Sequence, residues 1–528
     1  MKKKYQKTYN IEVLFILFVV ICNCYLFFQN NENIYMGIPY SVVDTNTYLS
    51  FINQVSEGKL LFTNRFTSEK VPYIIFRPEF LLIGIFGYFL TPLLAYYFFK
   101  FVFLFLYIFL INKLIKLTVN INELNITKLF VYFGSGIGYL LILLNNLGFK
   151  RINSADYLFG VSNSISINIL PVHFIMSVCL MISIIILYIL FWKDKKIKYL
   201  IFSGLLSLIL GFIHLFNVIT IFCIFGFYMI LKIINKNEKI INIIKFNLIF
   251  GLINLPALIY IFYLYTQIET LISWNKQNIL TTPPIQTIIL GFFIPLGFAI
   301  LYLIHKIVNK KNISDFEYIL YFWITATFIL IYMPFNIQSR FLEGVNIPIM
   351  IIGALGFSKC IDYLSEYIKW KKLKPISIIL IFLLISPTSF LWLEKIITTS
   401  QFNNAHDTYI PLYLEKTELE AMNWLKENTD SEEIVISKYR IGNYIPRVSG
   451  NRVFFGHWAQ TINFETKKKL VQNFYSNETQ RNEIIENYNI KFIYFGNEER
   501  KIGIFIPTDK IKQVYKNKDV SIYKIQNI

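Results

Sequence analysis

The sequence predicts a polytopic α-helical membrane protein of about eleven transmembrane helices, followed by a small C-terminal α/β domain. Hydrophobic residues make up 55% of the 528 residues and charged residues only 16%, whereas a soluble domain averages roughly 25% charged residues. Apolar runs recur along residues 1–399, several of them near the ~20 residues that a helix needs to cross a bilayer. Lysine clusters separate these runs at alternate ends, which is the pattern of basic loops retained in the cytoplasm.

The charge balance indicates two domains. Residues 1–399 carry 33 Lys and Arg against 17 Asp and Glu, and residues 400–528 carry 18 against 16. The second balance is typical of a soluble domain, so we predict a membrane module over 1–399 and a soluble extracytoplasmic α/β domain over 400–528. This organisation excludes a cytosolic enzyme, a disordered protein and a fibrous protein. The basic excess lies in the membrane module, where it controls topology, so we expect no nucleic-acid partner.

The lysine clusters also predict which way the chain crosses the membrane. The first apolar run, Val13–Phe28, follows four lysines and is interpreted as a retained helix with a cytoplasmic N-terminus. A cleaved signal peptide is the alternative, but no small-residue cleavage site follows the run. If all lysine clusters are cytoplasmic, Tyr199–Leu231 is a hairpin of two short helices that turns near His214 and Asn217. Phe76–Leu90 then lies on the outer face, and the tail is outside a plasma membrane.

Arginine is distributed differently from lysine. The sequence has nine arginines, and all of them fall on the side predicted to be external. Arg65, Arg77, Arg151 and Arg340 belong to the membrane module. Because guanidinium is a planar fork that matches phosphate or carboxylate, these four predict a site that grips an anion. Chance, together with the composition of the soluble tail, is the alternative explanation.

Asp44 is the first candidate for chemistry. It lies in the long first external loop, residues 29–73, just after the first apolar helix. A carboxylate near the membrane is costly unless it is solvated or paired, so it is a functional candidate by default. The alternative is a helix cap, because Asp44 or Thr45 could start a helix over Tyr48–Ser56 that ends at Gly58.

Several short motifs, in this order, resemble the GT-C superfamily of membrane glycosyltransferases, which use polyprenyl-phosphate-linked sugars. They are Asp44 with Tyr48 in the first loop, the Pro-containing stretch Glu69–Leu81, the turn Leu210–His214, the loop Ser339–Gly344 before Pro348, and Met422–Asn428. The resemblance covers most of the chain, although each motif is short. It implies an inverting hexosyl- or pentosyltransferase that moves a sugar to a glycan, lipid or protein acceptor of the cell envelope.

The resemblance also implies roles for individual residues. Asp44 would be the catalytic base, Asp156 a second catalytic acidic residue, and Arg340 the ligand of the donor phosphate. The other predicted substrate contacts are Tyr48, Arg77, Arg151, His214, Glu269, His457 and Trp458. The tail lacks the Trp-Trp-Asp signature of oligosaccharyltransferases, which puts protein N-glycosylation in doubt. The sequence does not establish a cofactor, and it leaves open whether Asp44 and Asp156 hold a Mg²⁺ or Mn²⁺ ion.

Two of these residues have structural alternatives. His214 could be a hydrogen-bonded structural histidine at the predicted turn, and Glu343 could be a local ion-pair partner that explains Arg340. The loop Arg447–Trp458 could bind sugar through aromatic faces, or it could simply be a packed loop.

The tail reads as a mixed domain. Thr417 and Glu420 predict a capping box for a helix that ends near Asn428. Helices are predicted over Phe464–Tyr475 and Gln480–Tyr488, and strands over Glu433–Tyr439, Ile490–Phe495 and Val520–Ile525.

Two other functions fit a polytopic chain. One is a transporter or flippase for lipid-linked glycans, but transporters usually show internal repeats, and we find none. The other is an O-antigen-type polymerase or ligase. Such proteins place a large external loop late between spans, whereas here the large loop comes first and the soluble domain is terminal.

Overall fold

The computed structural model describes residues 10–29, 32–75, 77–149, 152–236, 238–370, 372–401, 410–503, 505 and 507–526. The chain divides into two compact units. The first consists of Met1–Cys22, Lys100–Ile261 and Leu280–Lys395, and the second of Asn23–Phe99, Phe262–Ile279 and Ile396–Ile528. The predicted boundary between residues 399 and 400 is close to one of these divisions. The predicted first loop, however, folds with the tail rather than with the apolar helices.

Apolar helices make up the first unit, and four of the long ones extend by some residues beyond its bounds. Within the described residues, seven helices are long and apolar enough to cross a bilayer, or nine if each of two bent pairs is one span. The seven are Asn10–Phe28, Pro92–Thr118, Val172–Asp194, Leu215–Ile234, Ile240–Gln267, Asn346–Ile368 and Leu373–Thr398. The bent pairs are Ile121–Phe133 with Gly138–Asn146, at 44°, and Ile285–Gly291 with Phe293–Val308, at 84°. Helices Ala155–Leu158, Ser164–Ile169, Ile197–Ile213 and Asp315–Leu330 and the 3₁₀ turn Gln338–Leu342 complete the unit. The chain is therefore a multi-pass membrane protein, and the predicted count of eleven spans is approximate.

A helix break lies at His214, where the sequence predicts the turn of a hairpin of two short helices. Helix Ile197–Ile213, of 17 residues, ends before this residue, and helix Leu215–Ile234, of 20 residues, begins after it. The backbone of His214 leaves the helical region at φ −140° and ψ 85°. Non-helical backbone in a membrane protein must be buried in protein or line a cavity, and His214 is 5% exposed.

Small residues allow two helices of the first unit to approach closely. Gly353 and Gly356 lie on Asn346–Ile368, and a Cβ atom at either would collide with the backbone carbonyls of Pro295 and Phe298 on the facing helix. Such small-residue contacts are how helices pack in bilayers, where apolar burial gives no extra driving force. On the outside of the bundle, large apolar side chains such as Phe109 remain exposed, with 62% of its surface accessible.

The second unit contains a five-stranded mixed sheet. Strands β3 (Ile434–Ile436), β4 (Arg452–Val453), β5 (Ile490–Phe495), β6 (Ile511–Lys516) and β7 (Ser521–Ile525) are arranged in the order β4-β3-β5-β7-β6. β3 runs parallel to β4 and β5, and β7 is antiparallel to β5 and β6. The predicted strands at β3, β5 and β7 are confirmed, whereas β4 and β6 were not predicted.

The helices of the second unit are Val42–Ser56, Pro78–Phe89, Glu269–Gln277, Lys416–Asn428, Tyr439–Gly442, Ile445–Val448, Phe464–Ser476, Glu478–Tyr488 and Asn497–Arg500. The helix predicted over Phe76–Leu90 is Pro78–Phe89, and Phe76 lies outside the described residues. The capping box predicted at Thr417 and Glu420 is wrong, although the helix does end at Asn428. The box is formed two residues earlier, by Glu415 and Glu418.

Hydrogen bonds fix the first loop to the tail within this unit. Strand β1 (Ile34–Tyr35) pairs antiparallel with β2 (Tyr413–Leu414). Ser50 Oγ donates to the carbonyl of Pro446 at 3.0 Å. These contacts join residues almost 400 positions apart, so the long helix Val42–Ser56 is held against the domain that carries the sheet.

Candidate active site

Asp44 lies in the first turn of helix Val42–Ser56, so the predicted helix start near Tyr48 is wrong. Ser41 precedes the helix in a left-handed conformation, with φ 55°, and its Oγ donates to Asp44 Oδ2 at 2.9 Å. Asp44 is therefore not the residue before the helix. A carboxylate in the first turn is favoured by the helix dipole, and 39% of its side chain stays accessible. The position suits a group that must meet a ligand.

His457 binds the other oxygen of this carboxylate. Its Nε2 lies 3.1 Å from Asp44 Oδ1, and the histidine is only 2% exposed. Its Nδ1 accepts the backbone N–H of Ala459 at 3.0 Å. Because a backbone N–H can only donate, Nδ1 carries a lone pair and Nε2 carries the proton in the neutral ring. His457 consequently donates to Asp44 in one defined tautomer.

The loop that carries His457 is held on both sides. Thr461 Oγ1 accepts the N–H of Gly456 at 3.1 Å and donates to the carbonyl of Phe66 at 2.7 Å. Gln277 donates to the carbonyls of Ala459 and Thr461, each at 3.2 Å. These bonds fix the imidazole before any ligand arrives, which is the preorganisation that catalytic groups require.

Arg77 and Tyr48 lie beside Asp44. Tyr48 follows Asp44 by one helical turn, so both face the same side. It stacks on Phe80 with ring centroids 4.7 Å apart, and the Arg77 guanidinium lies 5.7 Å from the Tyr48 ring centroid. Burial opposes the charged form of Arg77. The negative charges of Glu79, at 3.3 Å, and of Asp44 nevertheless raise the pKa of Arg77 above its usual value. A fixed cation therefore accompanies the carboxylate.

Two aromatic residues complete the surroundings. Trp458 is half-buried and stacks on the His457 ring at a centroid distance of 5.9 Å. Tyr439 is buried, and burial together with the nearby charge of Asp44 raises the pKa of its hydroxyl well above the usual range. The sequence did not single out Tyr439 or Gln277, and no spacing or motif marks either of them.

Glu269 takes no part in the contacts given above. Glu269 is an exposed residue at the start of helix Glu269–Gln277, at the opposite end from Gln277. Arg151 lies outside the described residues.

Arg340 belongs to the first unit, and the ion pair predicted as an alternative there is wrong. Glu343 is fully buried and accepts from the Asn217 amide at 2.8 Å, and His214 Nδ1 lies 3.1 Å from the same oxygen. The Arg340 guanidinium instead lies 5.0 Å from the centre of the Phe174 ring. Among the described residues Arg340 forms no ion pair, and it is half-exposed. His214 has the hydrogen bond expected of a structural histidine.

Asp156, also in the first unit, is fully buried. Its Oδ2 accepts the backbone N–H groups of Gly136 and Gly138 at 2.9 and 3.3 Å. These glycines form the break between helices Leu124–Phe133 and Gly138–Asn146. Burial raises the pKa of Asp156 to about 6, against the lowering effect of hydrogen bonds from Ser154 and Thr388. The carboxylate thus accepts hydrogen bonds from backbone N–H groups that have no helical partner at the break.

No group of three or more His, Cys, Asp or Glu side chains that could hold a metal occurs among the described residues. Asp44 and Asp156, the two predicted metal ligands, belong to different units, and Asp156 is fully buried.

No family model and no curated protein matches the sequence. Solved structures do match. The Archaeoglobus fulgidus oligosaccharyltransferase in the apo form is 11% identical, with 93% of this chain and 70% of that chain covered at a TM-score of 0.57. Its complex with Zn and sulfate is 12% identical and covers 92% and 68%, at a TM-score of 0.58.

A bacterial structure matches over nearly the full length of both chains. ArnT from Cupriavidus metallidurans bound to undecaprenyl phosphate is 8% identical, with 97% of each chain covered and a TM-score of 0.55. These similarities show that the chain has the GT-C fold.

Proposed function

We propose that the chain is a membrane glycosyltransferase that moves a sugar from a polyprenyl-phosphate-linked donor to a cell-envelope acceptor, with Asp44 as the general base. The observation that carries the proposal is the pairing of Asp44 with His457 beside the Arg77 cation. The structural neighbours support the donor class: ArnT was solved with undecaprenyl phosphate, and the archaeal enzyme with a dolichol-phosphate.

Asp44 keeps the capacity to accept a proton. The exposed 39% of its side chain allows an acceptor hydroxyl to bind. The hydrogen bonds from Ser41 and His457 fix the direction of the carboxylate, so the base does not need to be oriented during the reaction.

The reaction is a single displacement. The acceptor oxygen attacks the anomeric carbon, its proton passes to Asp44, and the bond between that carbon and the phosphate oxygen breaks with its electron pair on the phosphate. One displacement inverts the configuration at the anomeric carbon.

The leaving phosphate needs positive charge. In the unit that contains Asp44, Arg77 is a fixed cation, and its fork matches phosphate. In the first unit, Arg340 keeps its role as a candidate ligand of the donor phosphate. Its support is that Glu343, the nearby acid, is bound by His214 and Asn217. Trp458, half-exposed beside His457, is the candidate for stacking on a sugar ring.

Asp156 is better explained as a structural residue than as a second base. Its carboxylate is fully buried and bound by two backbone N–H groups, so an acceptor hydroxyl cannot reach it without local opening. We therefore assign it to the helix break.

The alternatives receive less support. A transporter or flippase does not need a half-exposed carboxylate held in one orientation. The similar structures reported above are an oligosaccharyltransferase and ArnT rather than a polymerase or ligase of the O-antigen type. The lysine pattern further supports a plasma-membrane location with a cytoplasmic N-terminus and an extracytoplasmic tail.

The test is transfer of radiolabelled sugar from polyprenyl phosphate by the purified full-length chain. Asp44→Asn keeps the shape and removes the base, so we expect a loss of at least ~10²-fold, within the ~10²–10⁴ that general base catalysis contributes. Asp509→Asn, an exposed site in the same unit, is the matched control. If Asp44→Asn kept activity within a few-fold of wild type, Asp44 would not be the general base and would only be a residue of the helix terminus.

A further inference from the structure

A cavity of about 710 Å³ lies in the second unit, lined by the chain around Glu69–Tyr73, by the start of β3 with Arg452 of β4, and by residues 487–489. Its lining residues include none of Asp44, His457 and Arg77. Small-molecule sites in proteins have volumes of about 300–1,000 Å³. The cavity is thus large enough for a ligand, and the catalytic proposal leaves it without a role.

One wall of the cavity is rigid. The Lys467 ammonium is 1% exposed and donates to Ser68 Oγ at 2.8 Å and to Glu69 Oε2 at 2.7 Å. Arg452 donates through Nη2 to the carbonyl of Ser68 at 3.1 Å and to that of Glu69. A wall fixed in this way loses little conformational entropy when a ligand binds.

The two buried cations of this wall already have carboxylate partners. Lys467 is paired with Glu69, and Arg452 Nη1 lies 3.8 Å from Glu432 Oε2. Lys70, which also lines the cavity, is exposed. Recognition by the buried part of the wall therefore depends on hydrogen bonds rather than on an unpaired buried charge.

The remaining lining groups suit hydroxyl-rich ligands. The Tyr73 hydroxyl donates to Glu432 at 2.6 Å, which leaves the carboxylate further lone pairs. The exposed amides of Asn487 and Asn489 each offer donors and an acceptor. Tyr73, which is 41% exposed, adds a ring whose face can stack on the C–H surfaces of sugars. Carboxylates, amides and tyrosines in one cleft are the groups that read sugar hydroxyls by paired hydrogen bonds.

We propose that this cleft binds an oligosaccharide segment. The assignment rests on the proposed function, in which two substrates can carry such a segment: the acceptor and the lipid-linked donor. The cleft would hold the part of the glycan that does not react, and binding energy from such a remote part can be used at the reacting centre.

The first experiment measures binding without transfer. The full-length chain in lipid nanodiscs is mixed with maltotriose, cellotriose or triacetylchitotriose, and saturation-transfer NMR reports contact. We expect signal from at least one trisaccharide. Loss of one hydrogen bond or ring contact in Asn487→Ala or Tyr73→Ala should weaken binding about fivefold. Asn482→Ala, an exposed amide on the same helix but outside the lining, should bind as wild type does. Absence of signal from all three sugars, or equal signal in all variants, refutes the cleft.

The second experiment separates the two sources and the two proposals. In the transfer assay, Tyr73→Ala should raise KM for one substrate only: for the acceptor if the glycan is on the acceptor, and for the donor if it is on the donor. Unchanged KM for both contradicts the inference. Asp44→Asn should bind the trisaccharide normally, so sugar binding by a chain that never transfers sugar would refute the proposed function and leave the cleft standing.

Discussion

Replacement of His457 tests the site most directly, because the structure predicts an order among three variants. Gln places an amide nitrogen near the position of the histidine Nε2 and can still donate to Asp44. Asn reaches only the Nδ1 position, where it can accept from the N–H of Ala459 but cannot reach Asp44, and Ala replaces neither contact. The expected order of activity is wild type, then Gln, then Asn and Ala at a similar low level.

The size of the loss follows from the bond that is removed. The 3.1 Å contact between Nε2 and Oδ1 is a hydrogen bond to a charged group, a kind worth about 1.5–3 kcal/mol. If that energy is realised in the transition state, a factor of ten for each 1.36 kcal/mol gives roughly 10- to 150-fold. His457 orients the base and does not touch the donor phosphate in the proposed mechanism. The loss should therefore appear in kcat, with the donor KM little changed.

The assay is transfer from radiolabelled polyprenyl-phosphate sugar over a range of donor concentrations, with thermal unfolding of each variant as the folding control. A merely structural histidine would lower the unfolding temperature and leave kcat of the folded fraction intact. His457→Ala within about twofold of wild type would refute a positioning role that is worth a charged hydrogen bond. So would a Gln variant as inactive as the Ala variant.

Three further outcomes are expected. Arg340→Lys should raise the donor KM and lower kcat while the acceptor KM stays constant, because a point charge does not reproduce a bidentate fork. Equal donor kinetics in Arg340→Lys, Arg340→Ala and wild type would exclude a role for Arg340 in binding the donor phosphate. A cysteine at Asn312 should resist an impermeant thiol reagent on intact cells, whereas one at Asn482 should react, and the reverse pattern would invert the proposed topology. Asp156→Asn should transfer sugar within a few-fold of wild type but change the dependence of stability on pH. The pKa of Asp156 in the folded chain, about 6, lies above the usual 3.8. Wild type therefore loses up to about 3 kcal/mol of stability as pH rises from 4 to 7, and the Asn variant should not. If the stability of wild type and of the Asn variant changed in parallel with pH, Asp156 would not titrate in this way.

The sequence was sufficient to predict the fold class because a membrane helix can be recognised from its local composition alone. An apolar run needs no knowledge of its partners to be recognised, and the break at His214 was visible from the position of the lysines on either side. Helix ends were less certain. Thr417 and Glu420 have the spacing of a capping box, but Glu415 and Glu418 form it instead, since overlapping acidic residues offered two registers that differ by a single contact.

The candidate site was predicted as a set of residue types but not as an arrangement. Asp44, Tyr48, Arg77, His457 and Trp458 were singled out by their local sequence, by the distribution of arginines or by the resemblance to the GT-C superfamily, and the structure places all five in one unit. Local sequence could not show that His457 donates to Asp44, because that contact joins residues 413 positions apart. Local sequence also could not show that Glu343 is hydrogen-bonded to His214. The local Arg340–Glu343 ion pair was therefore a reasonable prediction, which the structure excludes.

The separation of Asp44 from His457 has a consequence for folding. Contacts between residues far apart in sequence are entropically costly to close, and they tend to form late. Helix Val42–Ser56 can form as soon as the first loop is made, but its carboxylate acquires the histidine donor only after the tail has been synthesised and has placed the loop around His457. The base is then oriented only in a completely folded second unit, and a chain truncated before residue 457 should insert its apolar helices and yet lack an oriented Asp44.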